Sequence, residues 1–244
     1  MRRLVAPATA ALLVLFAAGA VGAQPVSTPT TAPVAQLPSP AETPRSTPDP
    51  APRATVATVD EVAGTRPTLL PPTRFTIPVA GGVVPTAPEL LPNSLRDYRG
   101  GTHEGIDFPV LTGTPVRAAA AGYVSRIDYA YQEWSELARA AALDNSRRLG
   151  YTPELILDLI RGRQVWIDHG GGVVTRYAHL ASVAPLQRGE LVEAGQPIGH
   201  VGQSGYPEGG PHLHFEIRLG DSYLGADMAE LTALRAVVLR SFAP

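Results

Sequence analysis

From Arg74 onward the chain is written in short strand-like runs broken by glycine and proline, and this punctuation leaves little choice of fold. The runs are Ile106 to Val110, Val116 to Ala120, Gly122 to Ile127, Val165 to Asp168, Val173 to Ala178 and His212 to Leu219. Short runs bounded by such turn residues predict a mainly β fold, an antiparallel sheet or hybrid β-barrel. The stretch 73–244 is long enough to bury a core of its own.

One segment breaks the rhythm. Between Tyr131 and Leu149, Trp134, Leu137, Ala138 and Ala141 recur at helical spacing. Thr152 then reads as an N-cap with Pro153 at the first helical position. Leu155, Ile156, Leu159 and Ile160 form the apolar stripe of this second helix, and Gly162 can end it. The expectation is a helical hairpin inserted over 129–163. Long insertions of this kind shape or cover binding grooves, so it is expected to restrict access to a site. A last helix is predicted after Asp227, with Met228, Leu231, Leu234 and Val238 on its buried face.

Upstream of residue 73 the composition differs. Met1-Arg2-Arg3, the apolar run Leu4 to Ala20 and the small residues up to Ala23 make a secretory signal over 1–23, which places the remainder outside the cytoplasm. An uncleaved membrane anchor is the competing reading, since the run is just long enough to span a bilayer. Residues 24–72 are rich in Pro, Thr, Ser and Ala, a composition that cannot bury enough surface to offset its ordering entropy, and they read as a disordered linker. A pro-segment covering the site is the alternative.

The 244 residues carry a net charge of -2, which gives no electrostatic case for nucleic acid. With no cysteine, thiolate nucleophiles and thiolate metal sites are excluded, so any metal must be held by His, Asp or Glu.

There are six histidines. His212 and His214 alternate with Leu213, Phe215 and Ile217, so both project from one face of a strand, with Glu216 beside them. Both could bind a metal, or one could bind it while the other moves protons. His103 and Asp107, in His103-Glu104-Gly105-Ile106-Asp107, sit where a glycine-flanked loop enters a strand, and His179 ends the run Val173 to Ala178. Taken together, His103, Asp107 and His214 supply three N/O ligands. A catalytic zinc site typically uses three protein ligands and keeps a fourth position open. His179 and His212 are then extra imidazoles for proton transfer or for stabilising an oxyanion. His169 is read as a turn residue or an outer partner of the site, and His200 as structural. Glu104 and Glu216 could serve as bases, and a hydrogen bond from Glu216 to a ligand histidine is the preferred role for it.

GTHEGIDF, YAHL and GPHLHFEI, in this order, resemble the lysostaphin-type zinc metallopeptidases, exported endopeptidases that cut peptide cross-links of bacterial peptidoglycan. Val165 to Gly170 and Gly189 to Gly205 resemble further family stretches. The resemblance covers about Phe75 to Leu219, the hairpin excepted. It implies one Zn2+ per domain held by His103, Asp107 and His214, with His179 and His212 as the catalytic pair. Their individual jobs stay open. It also implies peptidoglycan peptide cross-links as the partner, no nucleic acid, and membrane contact only through an uncleaved signal. The chain departs from the family pattern at Asn93 to Arg99, at Tyr206-Pro207-Glu208 and in the hairpin. A catalytically silent activator or peptidoglycan-binding module of the same fold is the alternative function. Biotinyl and lipoyl carriers have related architecture but need an acceptor lysine, and this chain has none.

Overall fold

The structure is a computed structural model that describes residues 67–243. The expected signal (1–23) and residues 24–66 of the expected linker lie outside the described residues. Ten strands and three α-helices follow in order: β1 (Ile106–Phe108), β2 (Pro115–Arg117), β3 (Gly122–Ile127), α1 (Glu136–Leu149), α2 (Glu154–Arg161), β4 (Val165–Asp168), β5 (Val173–Ala178), β6 (Leu180–Val183), β7 (Leu191–Val192), β8 (Pro197–Val201), β9 (Leu213–Leu219), β10 (Ser222–Tyr223) and α3 (Leu231–Ser241).

Every strand pairing within the sheets is antiparallel. The larger sheet runs β1-β9-β5-β4-β3-β7, with β10 also pairing to β9; the smaller one runs β2-β8-β6. This is the mainly β, antiparallel architecture that the punctuation predicts. The strand β9 is an interior strand of the larger sheet, between β1 and β5. Its residues 214–219 pair with β5 along one edge, while β1 and β10 take separate stretches of the other. Leu213, Phe215 and Ile217 point into a core shared with Phe108, Val124, Ile167, Tyr177, Leu180 and Ile198. His214 and Glu216 are buried as well, so both faces of this strand are covered.

Inside the core, the hydroxyl of Tyr177 accepts the Ala119 N–H at 2.8 Å and lies 3.0 Å from Thr175 Oγ1. Thr175 Oγ1 is in turn 2.8 Å from His169 Nε2, and His169 Nδ1 is 2.8 Å from the Ala121 carbonyl. Both ring nitrogens of His169 are therefore held within the core. The ring of exposed His200 bonds Ser182 Oγ at 3.0 Å.

The insertion lies between β3 and β4, as expected, but its details differ. The first helix begins at Glu136 rather than near Tyr131, because Ser135 accepts the Ala138 N–H and sets the start. Its buried residues are Arg139 and Ser146, while Leu137 is 82% exposed, so the predicted apolar stripe is not its inner face. Pro153, not Thr152, occupies the N-cap of α2. The Thr152 hydroxyl instead donates to the Gly100 carbonyl at 2.6 Å and accepts from Arg99 at 3.1 Å. The buried apolar residues of α2 are Leu157 and Ile160; Leu155 and Leu159 face outward. The helix is turned by about one residue from the expected face, because Arg161 is drawn into the interior by carboxylates. Gly162 ends α2 as predicted, with φ 66°. The C-terminal helix α3 starts at Leu231 with Glu230 capping two backbone N–H groups, and buries Leu234 and Val238.

Candidate metal centre

His103 arrives on a loop that is fixed before it reaches the sheet. Asn93, at φ 66°, donates from Nδ2 to the carbonyls of Gly225 at 2.6 Å and Met228 at 3.0 Å. Its Oδ1 accepts from Tyr223 at 2.8 Å. Backbone bonds Asn93 N to His103 O and His103 N to Ser94 O, both 2.8 Å, close the loop. Gly105 lets the loop lie directly on β9, where a Cβ would come within 2.6 Å of the Phe215 carbonyl and 2.9 Å of His214 Cε1. Asp107 then faces His214 across the β1–β9 register.

These placements bring His103, Asp107 and His214 together. His103 Nε2 is 3.0 Å from Asp107 Oδ1 and 3.0 Å from His214 Nδ1, and His214 Nδ1 is 2.9 Å from Asp107 Oδ1. All three residues are buried.

The outer contacts decide what these three atoms offer. His103 Nδ1 faces the Leu91 carbonyl at 2.9 Å, which can only accept, so that nitrogen carries the proton. His214 Nε2 faces Glu216 Oε1 at 3.1 Å, which likewise calls for a proton on Nε2. In the neutral rings, His103 Nε2, His214 Nδ1 and Asp107 Oδ1 thus present three lone pairs to one another with no proton between them. Such a triangle calls for a cation. Sides near 3 Å put each corner about 1.7 Å from the centre, inside the usual Zn–N and Zn–O lengths of about 2.0–2.2 Å. His103 Nε2, His214 Nδ1 and Asp107 Oδ1 would be the atoms that hold such a cation.

The electrostatics agree. Burial pushes the His103 imidazole down to about 4, against the pull of Asp107. Asp107 is held well below the usual carboxylate range: burial opposes this, but His103 and His214 outweigh it. Arg96 also donates to its other oxygen at 2.7 Å. A proton can substitute for the cation at His214, whose affinity for it is raised; burial works against that, and the bonds to Asp107 and Glu216 prevail.

His179 and His212 stand beside this triangle. The His179 ring centroid is 4.6 Å from that of His212 and 5.8 Å from that of His214. His212 lies just ahead of β9, paired with Gly202 through an isolated bridge, with Nε2 3.8 Å from Asp107 Oδ1. Each ring spends Nδ1 on a carbonyl: His179 on Ser204 at 2.8 Å, His212 on Gly210 at 2.9 Å. Each therefore keeps Nε2 as an acceptor when neutral. Burial, with the neighbouring His212 and His214, drives His179 well below its ordinary pKa. His179 also has φ 60°, a conformation that costs a non-glycine residue about 1–3 kcal/mol and that clusters at functional sites. The five residues singled out in the sequence thus line one cavity of about 340 Å³, together with Tyr98, Tyr206, Leu157, Ile160 and Arg161. Tyr98 and Tyr206 stack with centroids 4.3 Å apart.

Sequence reasoning overlooked Arg96 and Arg161. Their signal was indirect. In a chain whose basic side chains are all arginines, each of these lies close to a motif carboxylate, but only the fold brings Arg161 beside Glu216.

Comparison with known proteins places these motifs. The model of peptidase family M23 matches residues 154–225, which include His179, His212 and His214. The DD-carboxypeptidase/endopeptidase Mpg of Neisseria meningitidis serogroup B is 35% identical over 117 residues, 48% of this chain and 20% of that protein. The peptidoglycan DD-endopeptidase ShyA of Vibrio cholerae is 31% identical over 115 residues, 47% of this chain and 20% of that protein. Lysostaphin of Staphylococcus staphylolyticus is 30% identical over 118 residues, 48% of this chain and 18% of that protein. The chain spans about a fifth of the length of these relatives. Residues 154–225 thus match peptidase family M23, and lysostaphin is among the relatives to which the chain is similar.

Proposed function

We propose that this chain is an exported zinc metalloendopeptidase that hydrolyses peptide bonds in bacterial peptidoglycan, with one Zn2+ held by His103, Asp107 and His214. The observation that carries the reading is the triangle of three converging lone pairs, with sides of 2.9–3.0 Å, at the floor of a cavity. The M23 family supports peptide hydrolysis, and the peptidoglycan endopeptidases among the relatives support the substrate. The basic and apolar start of the chain supports action outside the cytoplasm.

A zinc ion in such a site lowers the pKa of a coordinated water to about 7 and polarises a carbonyl. The remaining work falls to the chain. The outer bonds from His103 to Leu91 and from His214 to Glu216 fix both ligand rings in one tautomer. Arg96 restrains the Asp107 carboxylate. His179 and His212 are the catalytic pair, each with Nδ1 tied to a carbonyl and Nε2 free to accept a proton from the attacking water and return it to the leaving amine, or, once protonated, to stabilise the oxyanion. His179, held neutral by burial, suits the accepting role at neutral pH. Leu157, Ile160 and the Tyr98–Tyr206 stack exclude water from one wall.

The test is digestion of peptidoglycans of defined cross-bridge chemistry by protein of measured zinc content, with mass spectrometry of the fragments. Zinc near one equivalent, release of peptide fragments, and loss and recovery of both with chelation and zinc are expected. Full activity in metal-free protein, or intact peptidoglycan with zinc-loaded protein, would overturn the proposal.

A further inference from the structure

Glu216 is a fully buried carboxylate on β9, and it faces three arginines. They are not equivalent. Arg161, at the end of α2, donates from Nε to Glu216 Oε1 at 2.6 Å. That is the same oxygen that faces His214 Nε2 at 3.1 Å. Arg176 and Arg218 approach the other oxygen at 3.4 Å each, and the buried Nε of each has no partner. Arg161 is itself 3% exposed, and its remaining nitrogens are held by Glu154 at 2.9 Å and by Glu104.

The surroundings extend this contact across the sheet. Arg126, Trp166, Arg176 and Glu216 lie side by side on β3, β4, β5 and β9 in register. The Trp166 ring is contacted by the guanidinium groups of Arg126 at 4.8 Å and Arg176 at 3.9 Å. The helix α2 meets this row at three points: Asp158 bonds Arg126 at 2.6 Å, Glu154 lies 3.9 Å from Arg176, and Arg161 bonds Glu216. Only the last touches a group bonded to a ligand ring.

We infer that Arg161, supplied by the inserted hairpin, is a positioning residue for His214, acting through Glu216. It pins Oε1 where that oxygen takes the Nε2 proton of His214, which leaves Nδ1 as the lone pair aimed at His103 and Asp107. Without Arg161 the carboxylate loses its shortest partner and is drawn toward the unpartnered N–H groups of Arg176 and Arg218. His214 then loses the acceptor that selects its tautomer and orientation. Outer partners of ligand histidines are typically worth about 10–100-fold in metal affinity. The inference rests on the metal reading above.

The experiment measures Zn2+ affinity by chelator competition and the visible spectrum of the Co2+-loaded protein. It compares the full chain with Arg161→Met, Arg161→Lys, Glu216→Gln and Asp158→Asn, each checked for folding by circular dichroism. Arg161→Met is expected to weaken Zn2+ binding about 10–100-fold and to change the Co2+ spectrum. Arg161→Lys, which keeps the charge, should recover part of the affinity, and it carries the test if the methionine variant does not fold. Asp158→Asn breaks the neighbouring helix–sheet ion pair and should leave affinity within about threefold. Arg161→Met added to Glu216→Gln should weaken binding no further. Unchanged affinity in folded Arg161→Met, or an equal loss in Asp158→Asn, would overturn the inference while leaving the metal centre intact. Failure of the unaltered chain to bind Zn2+ or Co2+ would remove the metal reading, and the inference with it.

Discussion

A histidine has two ring nitrogens, and here the partner of the outer one decides what the inner one can do. His214 and His212 are two residues apart, yet the first turns Nδ1 toward His103 and Asp107 while the second turns Nδ1 to the Gly210 carbonyl. His214→Ala is therefore expected to abolish zinc binding and hydrolysis together. His212→Ala should keep near-stoichiometric zinc and lose hydrolysis by at least about 100-fold, the scale of a lost acid–base group. Elemental analysis beside the digestion assay separates the two; equal zinc loss in both would refute the division. Alternation in the sequence put both imidazoles on one strand face, but not their ring orientations, because those depend on Glu216 and Gly210 as acceptors. A second residue prediction concerns His169. Burial holds its folded pKa below the ordinary 6.5, so the unfolded chain takes up the proton first as pH falls. Its contribution to stability is complete above about 6.5 and declines below it, toward the lower folded pKa. Thermal melts from pH 7.5 to 5 should show this loss, and His169→Asn should be less stable at pH 7.5 with a shallower decline. An unchanged slope would remove His169 as the cause.

At the scale of elements, the hairpin is a brace built into the site. The Arg161 carbonyl accepts the His179 N–H at 2.8 Å, and Arg163 N donates to Ser204 Oγ at 2.9 Å. Trp134 donates to the Gly205 carbonyl at 2.7 Å, Glu133 accepts the Gly205 N–H at 2.9 Å, and Arg139 grips Glu208. Gly205, at φ 82°, packs so closely on the end of α2 that a Cβ would collide with the Ile160 carbonyl. Since the Ser204 carbonyl holds His179, this loop transmits the hairpin to a ring of the proposed catalytic pair. Trp134→Ala is expected to lower kcat several-fold with zinc content unchanged; steady-state kinetics with metal analysis checks it, and an unaltered kcat would argue against the coupling. The sequence made the hairpin legible through its helical spacing and Gly162. It hid which faces turn inward, because Arg161 and Arg139 go in to meet carboxylates contributed from β9 and from the loop before it, while Leu155 stays 81% exposed. The three departures from the family pattern turn out to be neighbours: Arg99 bonds Thr152 of the hairpin, and Tyr98 stacks on Tyr206.

For the molecule as a whole, stability concentrates where the sheet is deepest. Phe215 is fully buried, with aromatic contacts to Phe108, Tyr177 and Phe242. Phe215→Ala should cost about 3–5 kcal/mol in denaturant unfolding; a loss below about 1 kcal/mol would mean that this region is not the core of the cooperative unit. Alternation and turn residues were enough to read β1, β3, β4, β5 and β9 of the larger sheet, because each is a local pattern. The two-residue β7 and β10 carry too little pattern to read, and their places come from pairing with β3 and β9. The position of β9 also has a consequence for how the molecule comes into being. The strand that joins β1 to β5 follows both of them in the chain, so a nascent chain that stops short of residue 213 has two separated sheet edges and neither His214 nor Glu216. Long-range pairing of this kind closes late and slowly. The candidate metal centre therefore cannot assemble on a growing chain before β9 has been made.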